Sequence, residues 1–113
     1  MTIEAVKELL DAKVLTEGEG LEIEVLSACG CDLMSDVLAF VKNQAMLLTG
    51  LVNLQVVRTA EMMDMKAIVF VRGKMPSDDI ISLAKDMKIA ILTTPLPLYV
   101  ACGKLYSAGL GNE

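Results

Sequence analysis

Three times in succession the chain runs through an apolar strand, a short loop built from Thr, Gly, Arg or Pro, and an amphipathic helix. The strands are 45–49, 66–71 and 89–93, and they end in Leu48-Thr49-Gly50, Val71-Arg72-Gly73 and Thr93-Thr94-Pro95. Successive strand–helix–strand units build a parallel sheet, because a right-handed crossover returns each strand beside the last in the same direction. Such a sheet gathers its strand-ending loops at one edge, where open α/β folds bind their ligands. The expected fold is therefore a three-layer α/β/α domain over residues 1–113, with a mainly parallel sheet and one edge strand from the amino-terminal part.

The finer pattern places the other elements. Ala67–Val71 and Ile89–Leu92 are apolar on both faces, as strands covered by helices on both sides must be. Leu21–Leu26 alternates instead, Leu21, Ile23 and Val25 against Glu22 and Glu24, and reads as a half-exposed strand at or near a sheet edge. Lys13–Leu15 reads as a short strand, and Glu17-Gly18-Glu19-Gly20 as a turn. A first helix spans 2–11, capped by Thr2, with Ile3, Val6 and Leu10 inward. Residues 27–34 read as a loop, after which Ser35 caps a helix carrying Val37, Phe40 and Val41 inward. A helix over 53–64 buries Val56, Val57, Ala60 and Met63. Ser77 caps the next, with Asp78 and Asp79 in its first turn and Ile80, Leu83, Ala84 and Met87 inward. The last starts after Pro95 and Pro97, presents Leu98, Ala101, Cys102 and Leu105, and ends at Gly109, leaving 111–113 as a frayed tail.

Composition removes several functional classes. A net charge of −5 with no run of Lys or Arg leaves no basic stripe for a phosphate backbone, so no nucleic-acid partner is expected. Apolar residues make up 54%, yet no run approaches the roughly 18–20 needed to span a bilayer. Met1-Thr2-Ile3-Glu4 lacks the basic and apolar blocks of a signal peptide, so the expectation is a cytoplasmic protein with no membrane partner. The apolar excess points to an oligomer interface, most simply a homodimer, with Leu54 and Met62, or Val100 and Tyr106, as the off-stripe residues to carry it.

Catalytic signatures are missing. The chain has no His, no G-x-x-x-x-G-K-[ST] and no G-x-S-x-G, so it lacks the commonest general base, the phosphate cradle and the nucleophile elbow. Gly18-Glu19-Gly20 reads as a plain turn, since a strand rather than a helix follows. Cys29-Gly30-Cys31 is too closely spaced for a C-x-x-C site, and three Cys is an odd count. We read the thiols as reduced, with Cys102 in the core. No catalytic residue, metal or cofactor is expected.

The candidate ligand site is the loop constellation of Thr49, Gly50, Asn53, Arg72, Gly73, Thr93 and Thr94. Each group precedes a helix, whose first N–H groups and positive potential suit phosphate or carboxylate. Arg72 adds a fork of donors for the same groups. The alternative is that Thr and Gly only cap and turn while Arg72 pairs with an acid such as Asp78. Asp32 and Asp36 bracket Ser35 and reach toward the same edge, either as paired carboxylates or as parts of a helix start.

Four stretches together are distinctive: Cys31-Asp32-Leu33-Met34-Ser35-Asp36-Val37-Leu38-Ala39, Leu48-Thr49-Gly50, Arg72-Gly73-Lys74-Met75-Pro76-Ser77, and Ile91-Leu92-Thr93-Thr94-Pro95-Leu96 followed by Gly103-Lys104-Leu105-Tyr106. The chain in this respect resembles a stand-alone DRTGG-domain protein, a family similar to the amino-terminal domain of HPr kinase/phosphorylase. The five letters of the family name do not occur as a string here. The resemblance implies a non-catalytic α/β regulatory domain that contributes to dimer contacts, without the P-loop domain that carries kinase chemistry. The expected function is a regulatory or interaction module that senses a small anionic or nucleotide ligand at the carboxyl edge of the sheet. The alternative is a structural subunit docking on a larger metabolic enzyme complex.

Overall fold

The computed structural model describes residues 1–16, 20–40 and 45–111. Its elements in chain order are α1 (Ile3–Leu10), β1 (Lys13–Val14), β2 (Ser27–Gly30), α2 (Met34–Phe40), β3 (Ala45–Thr49), α3 (Leu54–Met62), β4 (Ala67–Phe70), α4 (Asp78–Asp86), β5 (Ala90–Thr93) and α5 (Leu98–Ser107). The strands form one sheet in the order β1-β5-β4-β3-β2. β2 to β5 are mutually parallel, and β1 closes the far edge antiparallel to β5.

The three central strands are buried along their whole length, which explains their continuous apolar character. Successive side chains alternate between two cores. Met46, Leu48, Val69 and Leu92 join Ile3, Val6 and Leu10 of α1 and Ala101 and Leu105 of α5. Leu47, Ile68, Phe70 and Ile91 join Val37 of α2, Val56, Val57 and Ala60 of α3, and Ile80 and Ala84 of α4. The result is the three-layer α/β/α fold, with a mixed sheet.

Three readings of the amino-terminal half are corrected. Residues 21–26 form no strand. Their alternation is used against the start of α1 instead: Ile3 N–H donates to Ile23 O at 3.0 Å, Glu4 N–H to Leu21 O at 2.9 Å, and Val25 N–H to Met1 O at 2.8 Å. The edge strand is β2, within the segment expected to be a loop, and it brings Cys29 into the sheet. Ser35 lies inside α2 rather than capping it. Val37 is buried as expected; the side chain of Phe40, residues 41–44, the turn at 17–19 and the tail at 112–113 fall outside the described residues. Further along, Met63 and Leu83 are only half-buried and Met87 is exposed, while Cys102 is half-buried at the margin of the core.

Four helices end in the same way. The N–H of Ala12, Met65, Ile89 and Leu110 each reaches back five residues, to Lys7, Ala60, Ala84 and Leu105, at 2.8–3.1 Å. This closure requires a left-handed residue just before each donor. Gly109 fills that role for α5, but Asp11, Asp64 and Lys88 adopt it for α1, α3 and α4 with φ of 52°, 55° and 59°. No helix among the described residues is long and apolar enough to cross a membrane.

Candidate functional site

The topology brings the predicted loops to one edge, at the carboxyl ends of β3, β4 and β5. There the loops hold one another. Asp32, in the connection from β2 to α2, places one carboxylate oxygen 2.8 Å from both the Gly50 N–H and the Thr49 hydroxyl. Thr49 in turn accepts from Leu51 N–H at 3.1 Å, and Asn53 caps α3 by accepting from Val56 N–H at 3.0 Å. Lys74 donates from Nζ to Gly50 O, and its own carbonyl accepts from the Thr93 hydroxyl, both at 2.8 Å. Gly73 N–H donates to Thr94 O at 2.8 Å, and Arg72 N–H to Leu96 O at 2.9 Å.

The predicted residues therefore divide. Thr49, Gly50, Gly73 and Thr93 converge on this network, with Asp32 among them as its anion. Thr94 does not present its side chain at the edge: it is fully buried, and its hydroxyl donates to Leu10 O at 2.7 Å, pinning the end of α1. Arg72 is exposed and takes a left-handed φ of 59°. Its guanidinium makes no hydrogen bond or ion pair among the described residues, and none links it to Asp78. Lys74 was not predicted as part of the site; the sequence holds no signal for a lysine that spans 24 positions to a carbonyl.

Electrostatics follow from these partners. Hydrogen bonds from Gly50 N–H and then Thr49, aided by Lys74, hold the Asp32 carboxyl below its ordinary range despite some burial. Burial first, then the neighbouring Cys31 and Cys102, pushes the Cys29 thiol up, and burial pushes Cys102 up. Both are poor thiolates, and no group of three His, Cys, Asp or Glu among the described residues is arranged to hold a metal ion.

A second feature lies beside the sheet rather than at its edge. α5 runs back along β2: a Cβ at Gly30 would come 2.5 Å from Cys102 Sγ, and one at Gly111 would come 3.6 Å from Ser27 Cα. Between the two elements lies a groove of about 1150 Å³, lined by β2 and by α5 residues that include Tyr99, Gly103, Lys104 and Tyr106. Tyr106 and Val100 stand out in the sequence as off-stripe residues. The helical spacing of Tyr99, Gly103 and Tyr106 is the signal that marks the groove face.

A five-stranded α/β/α sheet with a loop network at its carboxyl edge defines an architecture shared by many binding domains. No family model and no curated protein matches the sequence. Among solved structures, the chain is similar to the CBS and DRTGG domains of the regulatory region of Clostridium perfringens pyrophosphatase, solved in complex with its activator, diadenosine tetraphosphate. The likeness has a TM-score of 0.74 at 16% identity and covers 98% of this chain and 48% of the other, so this chain spans about half of that region. It shows the fold, and the neighbour is a regulatory part of an enzyme rather than its catalytic part.

Proposed function

We propose that the chain is a non-catalytic regulatory module of DRTGG type, acting as a homodimer that senses a small anionic ligand of the nucleotide class. The carrying observation is the likeness over 98% of the chain to a nucleotide-activated regulatory region. Within the chain, the unpaired Arg72 guanidinium beside the Gly73 loop is the group to meet the anion at the carboxyl edge, with Thr49, Gly50, Asn53 and Thr93 shaping the surround. Asp32 already supplies the anion that Gly50 N–H and Thr49 require, so the ligand engages the Arg72 side of the network. The resemblance to HPr kinase/phosphorylase is carried by the quoted sequence stretches alone and concerns its amino-terminal domain; the sequence has no P-loop for phosphoryl transfer.

A thermal-shift screen against nucleotides and phosphometabolites tests the reading, because a ligand bound only by the native state stabilises it by about 2.7 kcal/mol at a hundred times Kd. Arg72→Ala should weaken the best hit about ten- to a hundredfold, the loss of a charge-assisted hydrogen bond. A screen with no hit would favour the docking-subunit alternative.

A further inference from the structure

We propose that the groove between α5 and β2 is itself a binding site, for an anion that carries a flat aromatic ring, of the nucleoside-phosphate class. The inference does not rest on the Arg72 edge, and it stands or falls separately. At about 1150 Å³ the groove has room for such a molecule. Tyr99 and Tyr106 are seven residues, two turns, apart on α5, and both line it. They are 89% and 65% exposed, so each leaves a ring largely uncovered. Gly103 lies between them on the same face, and a Cβ there would meet nothing within 4 Å. No packing in the fold requires glycine at this mid-helix position, where it weakens the helix relative to alanine. What its missing side chain does is keep the floor between the two rings open. Aromatic side chains flanking an open floor favour a stacked ring as occupant.

Charge selects the rest of the ligand. The chain carries a net charge of −5, yet Lys104 is the one charged residue among the described residues that line the groove, and no carboxylate is among them. Among the described residues, an anion there meets an ammonium without an opposing acid. A second copy related by a two-fold axis would instead bring two Lys104 side chains to one interface, with no carboxylate among the described lining residues to offset them.

Titration calorimetry with ATP, adenosine and inorganic tripolyphosphate, read alongside tyrosine-ring NMR signals, tests the assignment. The chain has two tyrosines, both in this groove, so those signals report on this place alone. ATP should bind saturably and shift both, while adenosine and tripolyphosphate should each bind at least about tenfold more weakly. Gly103→Leu, which adds a side chain where a Cβ would meet nothing within 4 Å, and Lys104→Gln should each weaken ATP binding at least about tenfold. Both should melt no lower than the parent chain. Arg72→Ala should leave the tyrosine shifts unchanged. Absence of heat and shifts with ATP would overturn the proposal, as would binding indifferent to Gly103→Leu. Heat lost in Arg72→Ala with the tyrosine signals unmoved would also overturn it, while supporting the edge reading. A dimer that Gly103→Leu breaks and ATP does not affect would assign the groove to a second copy and overturn it as well.

Discussion

At the scale of single residues, the decisive contacts join positions far apart in the chain. Asp32 serves Thr49 and Gly50 across 17 and 18 positions, and Thr94 reaches Leu10 across 84. A threonine after a strand looks the same in sequence whether it faces a ligand or pins a helix, which is why Thr94 read as a site residue. Asp32→Ala should lower stability by about 1 kcal/mol at neutral pH, below the usual range for bonds to a charged acceptor because the residue is exposed. Its folded-state pKa is lowered, so this stability is complete above the unfolded carboxyl value of about 3.9 and fades as pH falls through the folded value. Urea unfolding of both proteins across acidic pH should show their difference shrinking toward zero; a difference constant down to strong acid would contradict the assignment. Gly30 gives a second test at this scale. A Cβ there would lie 2.5 Å from Cys102 Sγ, so Gly30→Ala should cost about 1–3 kcal/mol, and most of that cost should vanish in a Cys102→Ala background. Additive losses in the double variant would show that the clash lies elsewhere.

Among the elements, those with strong periodicity were legible and those shaped by neighbours were not. The three apolar strands and α1, α3, α4 and α5 stand where the sequence places them, with Thr2 capping as expected; Asn53, read as a ligand-site residue, caps α3, and Ser77 holds the N-cap position of α4 without a side-chain bond. β2 was hidden because Ser27-Ala28-Cys29-Gly30 lacks β-branched residues; small side chains are what its place beneath α5 demands. The alternating 21–26 segment misled because its periodicity answers to the start of α1 and not to the sheet. Helix ends were half legible, since Gly109 announces its turn while Asp11, Asp64 and Lys88 adopt the same left-handed geometry without glycine. That geometry costs a non-glycine residue about 1–2 kcal/mol, partly offset by glycine's greater entropy loss. Lys88→Gly should therefore raise stability by about 0.5–1 kcal/mol, or roughly 2–6 °C in Tm, and Gly109→Ala should lower it by a similar amount. Calorimetric melting of the two variants checks both signs, and a destabilised Lys88→Gly would mean that the lysine side chain holds the turn.

For the molecule as a whole, the carboxyl edge was legible as a place but not as a surface. The sequence supplies the loops, whereas the mutual hydrogen bonding that ties up Thr49, Gly50, Gly73 and Thr93 emerges only once β3, β4 and β5 lie side by side. The apolar composition of 54% fills two cores and still leaves Met62 67% exposed on α3 and Tyr99 and Tyr106 exposed on α5. With α5 assigned to a ligand, the α3 side around Met62 remains for self-association, and the proposed homodimer should scatter light at about twice 12.2 kDa at micromolar concentration. A monomer mass there would contradict the homodimer. The central claim, a module that reports on a nucleotide-class anion, is tested most directly by titration calorimetry of the intact chain with diadenosine tetraphosphate. Saturable binding of one ligand per chain or per dimer is expected, with a matching rise in Tm. Absence of heat and of any thermal shift at millimolar ligand would contradict it.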